Sequence, residues 1–356
     1  MFLLESSLNS VYPNIWFTLV AVLWIGYFFL EGFDYGVAML IKLLGKTDKE
    51  KRVVVNTIGP LWDGNEVWLI TAGGAMFAAF PGWYASMFAG LYLPMLLVLV
   101  GLILRGIAFE YRSKHPSSSY RNALDWCAAI GSFLPALIFG IGFANFVIGL
   151  PNDGLHWSGA FSGLFSPFAL LGGVMLVILC FYHGSTFLTL KTRGVIHDRA
   201  KAFGQKTGWA AVAVVALFVI CQNVFWPADS EFASFGVLTW MLAVLAILAL
   251  AASALLVGRG RDGWAFALGG VAIITLFTGV FLKMYGNIGF AQDPGVPVAD
   301  RLNMWTAASS NTTLTLMTVA AAIFIPAILA YQAWSYWVFH KRLSTKSIPD
   351  DVPLPS

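Results

Sequence analysis

Five carboxylate side chains lie in strongly apolar surroundings in the first third of this 356-residue chain, and they are Glu31, Asp34, Asp63, Glu66 and Glu110. Ionisable groups are costly inside a membrane-spanning helix, and where they occur they often mark ion or proton pathways. Carboxyl groups in such surroundings can exchange protons near neutral pH. A series of them is what a proton path through a membrane requires, so these five residues are candidates for one.

The spacing of the carboxylates predicts a series of depths. Glu31 and Asp34 are three residues apart, as are Asp63 and Glu66, so each pair shares one helix face. Depth is counted at ~1.5 Å per helical residue from the nearest basic residue, Lys42 for Asp34 and Arg52 for Asp63. On this count Asp34 lies roughly 12 Å deep and Asp63 roughly 16 Å deep. Glu110 falls at the rim of the third stretch. The series therefore leads from one membrane surface toward the middle of the membrane.

A structural role is the alternative for the same carboxylates. Arg105 lies in the third apolar stretch, and a buried guanidinium could hold helices together through ion pairs or hydrogen bonds. Trp62 directly precedes Asp63 and adds bulk at the same place. Spacing leaves both roles open for these carboxylates, although a structural role suits Glu31 best.

The elements that position these residues are membrane helices. Of all residues 58% are hydrophobic and 11% are charged, and the mean hydropathy is +0.76, whereas a soluble domain is about 25% charged. Such a chain must expose apolar surface to lipid. We predict an all-α polytopic membrane protein, with one transmembrane domain over residues 1–356. Its nine spans lie near residues 15–41, 55–80, 84–108, 123–149, 163–190, 207–226, 235–257, 263–285 and 312–339, each long enough to cross the bilayer.

The basic residues predict the orientation of these spans. Of the 21 Lys and Arg residues, 18 fall in alternate loops or in the C-terminal tail. The loops on the opposite side contain only Arg301. The positive-inside rule then puts the N-terminus outside the cell and the C-terminus in the cytoplasm.

Several other functions are disfavoured by the sequence. The net charge of +3 gives no sign of nucleic-acid binding, and the three cysteines have no metal or redox spacing. His183 is the one histidine inside a predicted span, so the chain lacks a bis-histidine haem site. There is no phosphate-binding loop and no nucleophile elbow. We predict no catalytic residue, no metal ligand and no axial haem ligand here. The residues alone indicate a proton-handling polytopic protein, with a secondary transporter as the first candidate and a redox-complex subunit as the second.

Four sequence runs decide between these candidates. Residues 31–37 read EGFDYGV, residues 59–74 read GPLWDGNEVWLITAGG, residues 109–114 read FEYRSK, and residues 331–337 read YQAWSYW. In these runs, and over essentially its whole length, the chain resembles subunit II of the cytochrome bd-type quinol oxidases. These are terminal oxidases of the bacterial cytoplasmic membrane.

The resemblance implies a fold, an activity and a partner. The implied fold is two four-helix bundles plus one peripheral helix. The implied complex oxidises quinol, reduces oxygen to water and is electrogenic. Its haem b and haem d groups and its quinol-binding loop belong to a homologous subunit I, the heterodimeric partner of this chain. The resemblance leaves open a structural quinone or lipid in this subunit and small accessory single-span subunits.

The resemblance also assigns a role to the acidic residues. In this family protons reach the haems from the cytoplasm through subunit II, and Asp34, Asp63 and Glu110 match the acidic positions of that route. Some relatives have Asp at the position of Glu110. Trp62 and Arg105 match as well. The predicted proton path therefore consists of Asp34, Asp63, Glu110, Trp62, Glu66, Glu31 and Arg105. A proton-coupled secondary transporter remains the alternative, although no internal repeat supports it.

Overall fold

The computed structural model describes residues 11–153, 157–293 and 295–348, which form eleven α-helices and three short 3-10 helices. The N-terminus that the charge pattern places outside the cell lies beyond these ranges, as does His156. The α-helices are α1 Val11–Leu44, α2 Asp48–Ile58, α3 Trp62–Ala79, α4 Pro81–Gly90, α5 Tyr92–Tyr111, α6 Ser118–Ile148, α7 Pro167–Lys191, α8 Val195–Phe225, α9 Gly236–Gly258, α10 Asp262–Met284 and α11 Asn311–Val338. The predicted all-α class is confirmed.

Eight of the described helices, α1 and α5 to α11, are long and apolar enough to cross a membrane. The chain is thus a multi-pass membrane protein. Helix α3 is not one of the eight, because Asp63, Asn65 and Glu66 in its first turns lower its hydropathy.

Two of the nine predicted stretches are divided in the structure. Residues 55–80 contain the end of α2, a turn at residues 59–61 and α3. Pro60 in that turn has no amide hydrogen to continue a helix. Residues 84–108 contain the end of α4 and most of α5, separated at Leu91. Helix α4 is ten residues long, which at ~1.5 Å per residue is too short to span the bilayer.

Residues 191–206, which connect the predicted spans 163–190 and 207–226, are mostly helical. Helix α8 begins at Val195 and includes Arg199, Lys201 and Lys206, which leaves residues 192–194 as the connection. Gly194 adopts a φ of +70° in this short turn, a conformation that glycine reaches without the steric cost of a Cβ atom.

Helix α1 is the central element of the packing. It contacts α3, α6, α7 and α10, while α5 packs on α6 and the helices α7 to α10 pack on one another. A Cβ atom at Gly36 would lie 1.9 Å from the backbone oxygen of Cys180, so α1 and α7 cross with their backbones in contact. Helix α11 lies against α1 and α3, and Leu314 is its one buried residue.

Ion pairs join the helices at one end of the molecule. This basic end comprises residues 45–52, 112–122, 192–206, 259–261 and 339–348. The Nε atom of Arg112 lies 2.6 Å from a carboxylate oxygen of Asp125, and its Nη2 atom lies 2.8 Å from Asp48. Glu50 caps α2 and binds Arg199 at 2.7 Å. Partial burial acts to raise the pKa of Glu50, but the hydrogen bonds from Arg199 and from two backbone amides outweigh it and hold the pKa below its usual value.

Candidate proton-transfer site

Arg105 is at the centre of the acidic cluster. Its side chain on α5 is fully buried and forms ion pairs with Glu31 of α1 and Glu66 of α3, the latter at 2.9 Å. The Glu31 side chain is fully buried, whereas that of Glu66 is 21% exposed. The guanidinium carbon also lies 4.9 Å from the centre of the Tyr35 ring. This one cation therefore joins three helices and offsets part of the negative charge of two carboxylates.

Asp34 lies beside this ion-pair cluster and forms no ion pair with any residue that the structure describes. It is fully buried, and its Oδ2 atom accepts a hydrogen bond of 2.7 Å from the side-chain amide of Asn65. Within the described residues, Oδ1 of Asp34 and Oε2 of Glu31 have no hydrogen-bond partner. Buried polar atoms normally have one, so these two oxygens are where a proton or a water molecule would bind.

Asp63 and Glu110 lie on the surface of the chain rather than in its interior. Both residues are exposed, on α3 and α5 respectively, and they are close enough for their charges to interact. The same face is otherwise apolar, with Ile70 on α3 and Ile103 on α5 among its exposed residues. Asp63 also interacts electrostatically with Glu66 and Arg105, so the exposed pair adjoins the buried cluster.

Trp62 packs against the buried cluster beside Asp63. It is 8% exposed, its ring lies 5.7 Å from the guanidinium carbon of Arg105, and it packs edge-on against Phe109 at 5.4 Å. The structure therefore brings five of the seven predicted residues into one interior cluster, namely Glu31, Asp34, Trp62, Glu66 and Arg105. Asp63 and Glu110 border the cluster from outside.

The depth predicted for Asp63 was counted along one continuous helix from Arg52. In the structure the turn at residues 59–61 interrupts that helix, because α2 ends at Ile58 and α3 begins at Trp62. The hydrogen bond between Asn65 and Asp34 puts the start of α3 beside Asp34.

Three polar residues of the site were not predicted from the sequence. Asn65 accepts hydrogen bonds from Gln332 at 3.2 Å and from Tyr336 at 2.8 Å, both on α11. These two residues are more than 260 positions away from Asn65 in the sequence. Over residues 319–338 of α11, Gln332 is the one amide among mostly apolar residues, and that isolation is the signal that could have identified it.

The residues around His183 do not fit a haem. His183 is fully buried on α7, and its Nε2 atom lies 3.0 Å from the backbone oxygen of Phe29. Its ring stacks on Phe266 with centroids 4.7 Å apart, and the ring of Phe33 lies 5.8 Å away. The backbone oxygen of Phe29 and these two rings pack directly against the imidazole, so a haem bound there would have to displace them. The part of the chain that the structure describes also contains no group of three or more metal-binding side chains.

Comparison with known proteins identifies the family. The family model for cytochrome bd terminal oxidase subunit II matches residues 12–339. The chain is 38% identical to the cytochrome bd ubiquinol oxidase subunit 2 of Bacillus subtilis, with 94% of this chain and 97% of that protein covered. It is 34% identical to the cytochrome bd-I ubiquinol oxidase subunit 2 of Escherichia coli K12, with 94% and 96% covered.

A solved structure has the same fold. A chain of the bd oxidase from Geobacillus thermodenitrificans superposes with a TM-score of 0.70, covering 92% of this chain and 97% of that one, at 17% sequence identity. At that identity the superposition shows only that the fold is shared. The assignment to a family rests on the family model and on the sequence relatives. The chain belongs to the cytochrome bd terminal oxidase subunit II family.

Proposed function

We propose that this chain is the subunit of a bacterial quinol oxidase that supports the haem-bearing subunit I and lets protons enter from the cytoplasm. The observation that carries this proposal is the acidic cluster, in which a fully buried Asp34 has a carboxylate oxygen without a partner among the described residues. The reduction of oxygen consumes protons, and a site buried in the membrane cannot take them from bulk water without a relay. Family membership favours this function over that of a secondary transporter.

The proposed path begins at the basic end. Glu110, in the last turn of α5, takes up protons there and exchanges them with Asp63. From Asp63 the path reaches the buried cluster through Glu66, where Asp34 holds the proton on its free oxygen. Glu31 and Arg105 keep the cluster together, and Trp62 limits the access of water.

The test of this path is the turnover of an assembled oxidase with Asn in place of Asp63.

The proposed topology has nine spans, with α3 as the ninth. Two groups of four helices, α1, α3, α5 and α6 and then α7 to α10, form the bundles, and α11 is peripheral. The contacts of α1 with α3 and α6, of α5 with α6, and among α7 to α10 support this grouping, and α1 and α6 also pack on α7. A carboxylate-bearing helix such as α3 is tolerated in a membrane when its polar face is covered by protein. The basic end faces the cytoplasm in this proposal.

Cysteine labelling tests the orientation. In a variant without Cys127, Cys180 and Cys221, a membrane-impermeant maleimide should label Asp300→Cys in intact cells or spheroplasts. The same reagent should label Val195→Cys only after permeabilisation, because Val195 lies at the basic end. Both positions are exposed, so a difference in labelling reports the side of the membrane. Labelling of position 195 in intact cells would rule out the orientation.

Subunit I is the partner that we assign to the exposed face of α3 and α5. Ionised carboxylates are costly where they face lipid, and this face carries Asp63 and Glu110. Its apolar residues, such as Ile70 at 70% exposed, suit a second protein as well as lipid, but the carboxylates suit only protein or water. We therefore assign subunit I to this face, next to the start of the proposed path.

Site-specific photocrosslinking tests the partner face. A photoreactive amino acid at position 70 should form a crosslink with subunit I in the membrane. Leu248 on α9 provides the matched control, because it is an aliphatic residue with 61% of its surface exposed on the second bundle. Position 248 should give no crosslink to subunit I. Crosslinking from position 248 and none from position 70 would show that subunit I does not bind the face of α3 and α5.

The proposed structural quinone or lipid has a suitable location. An apolar groove of about 580 Å³ lies between α3, α4 and α5 and is lined by residues that include Trp24, Gly73, Phe77, Phe88 and Phe139. The groove could hold an isoprenoid or acyl chain. It opens near the partner face, so such a molecule would contact both subunits.

A further inference from the structure

Helix α11 takes part in the acidic site although it packs only lightly against the rest of the chain. Leu314 is its one buried residue, and most of its large side chains, such as Tyr331 and Trp334, are exposed. Gln332 and Tyr336, which are one helical turn apart, nevertheless both bind Asn65. A residue pair with this spacing lies on one helix face. The peripheral helix is therefore joined to the site by polar contacts.

The orientation of each amide in these contacts is determined by its neighbours. The indole nitrogen of Trp68 is a donor only, and it lies 2.7 Å from Oε1 of Gln332. The amide nitrogen of Gln332 must then point the other way, and it donates to Oδ1 of Asn65 at 3.2 Å. The Tyr336 hydroxyl donates to the same oxygen at 2.8 Å.

These successive hydrogen bonds determine which group of the Asn65 amide faces Asp34. With its oxygen occupied by two donors, Asn65 can offer Asp34 only its NH2 group, which donates to Oδ2 at 2.7 Å. Asn65 is fully buried, so solvent does not compete for these contacts. Oδ2 of Asp34 is thereby occupied, and Oδ1 is the atom left to exchange protons.

We propose that Trp68, Gln332, Tyr336 and Asn65 are positioning residues for Asp34. They hold an N–H group against one carboxylate oxygen and keep the other oxygen free. Asp34 otherwise faces the charged or titratable groups of Glu31 on α1, Glu66 on α3, Arg105 on α5 and Tyr336 on α11. This inference rests on the proposed role of Asp34 in proton uptake. It adds that helix α11 controls which oxygen of Asp34 is free to exchange protons.

The double variant Gln332→Leu with Tyr336→Phe tests the proposal. It removes both donors to Asn65, so the amide can turn and present its oxygen to Asp34, which favours the protonated carboxyl group. In the complete oxidase, we expect the pH of half-maximal oxygen consumption to move by about half to one unit toward alkaline pH, in line with the loss of one hydrogen bond. If these side chains serve only in packing, the double variant should consume oxygen more slowly, but the pH of half-maximal oxygen consumption should stay the same.

Tyr331→Phe is the matched control, because it makes the same chemical change on the exposed face of the same helix. Its pH profile should equal that of the wild type. If the double variant does not assemble with its haems, Trp68→Phe takes its place, because this change removes the donor that orients Gln332. An unchanged pH profile in the assembled double variant, or in Trp68→Phe, would overturn the proposal.

Asp34→Asn, measured in parallel, separates this inference from the proposed function. Wild-type turnover of Asp34→Asn would exclude Asp34 from the path, and the positioning role would fail with it. A strong loss of turnover in Asp34→Asn, together with a wild-type pH profile in the double variant, would overturn the positioning role alone.

Discussion

Replacement of Asp63 by Asn is expected to lower the quinol oxidase turnover of the assembled complex by about tenfold or more, as for the loss of an essential proton-transfer group. The amide keeps the shape of the side chain and much of its hydrogen bonding, but it cannot release a proton. The position is exposed on the chain surface, so the substitution leaves no cavity in the core. Oxygen consumption per haem is the measurement.

Glu110 provides the graded comparison for Asp63. Glu110→Gln should lower turnover less, because the residue lies in the last turn of α5, where water can partly replace the carboxyl group. Glu110→Asp should be close to the wild type, because it keeps the titratable group. If Asp63→Asn instead lowers the haem content and leaves the turnover per haem unchanged, its role is structural. A fully assembled Asp63→Asn oxidase at the wild-type rate would remove Asp63 from the path.

Replacement of Arg105 by Leu is expected to prevent accumulation of the complex. The change would leave Glu31 fully buried without its cation. Removing one partner of a buried ion pair typically costs about 3–5 kcal/mol, a large part of the total stability of about 5–15 kcal/mol that a typical domain has. The guanidinium also lies over the rings of Tyr35 and Trp62, and these contacts would be lost too. Haem content per unit of membrane protein and thermal stability in detergent are the measurements.

The double substitution Arg105→Leu with Glu31→Leu is the control for this prediction. An apolar pair of similar volume often replaces a buried ion pair without loss of stability, and Glu66, at 21% exposed, retains access to water. The double variant should therefore accumulate better than Arg105→Leu alone. Arg105→Lys should be intermediate, because a lysine keeps the charge but cannot bind two carboxylates with a planar fork. An Arg105→Leu complex with wild-type stability would show that the ion pairs do not hold the helices together.

The sequence predicted the fold well where a helix is uniformly apolar. Helices α6, α7, α9, α10 and α11 begin and end within five residues of the predicted spans, because apolar length determines them directly. The helix bounds were predicted poorly where the chain changes direction inside an apolar stretch. The turn at residues 59–61 and the break at Leu91 interrupt two such runs, and hydropathy does not register a turn made of apolar residues.

The site was predicted to a similar extent. The cost of a charge in the membrane identified Glu31, Asp34, Glu66 and Arg105, and the structure brings these residues together. Which carboxylate pairs with Arg105 depends on how α1, α3 and α5 rotate against one another, and one-dimensional spacing does not specify that rotation. Asn65 and its partners on α11 were missed because neutral amides carry no comparable cost.

Proton uptake by the purified complex in sealed vesicles tests the central claim most directly. Quinol is supplied and oxygen reduction is started, while the pH on the side of the basic end and the membrane voltage are recorded. The wild-type complex should take up protons from that side and generate voltage as it reduces oxygen. Asp63→Asn should still assemble with its haems, but its proton uptake and voltage generation should be slower by the same factor as its turnover. Uptake from the basic side at the wild-type rate in an assembled Asp63→Asn complex, or uptake from the opposite side in the wild type, would contradict the account.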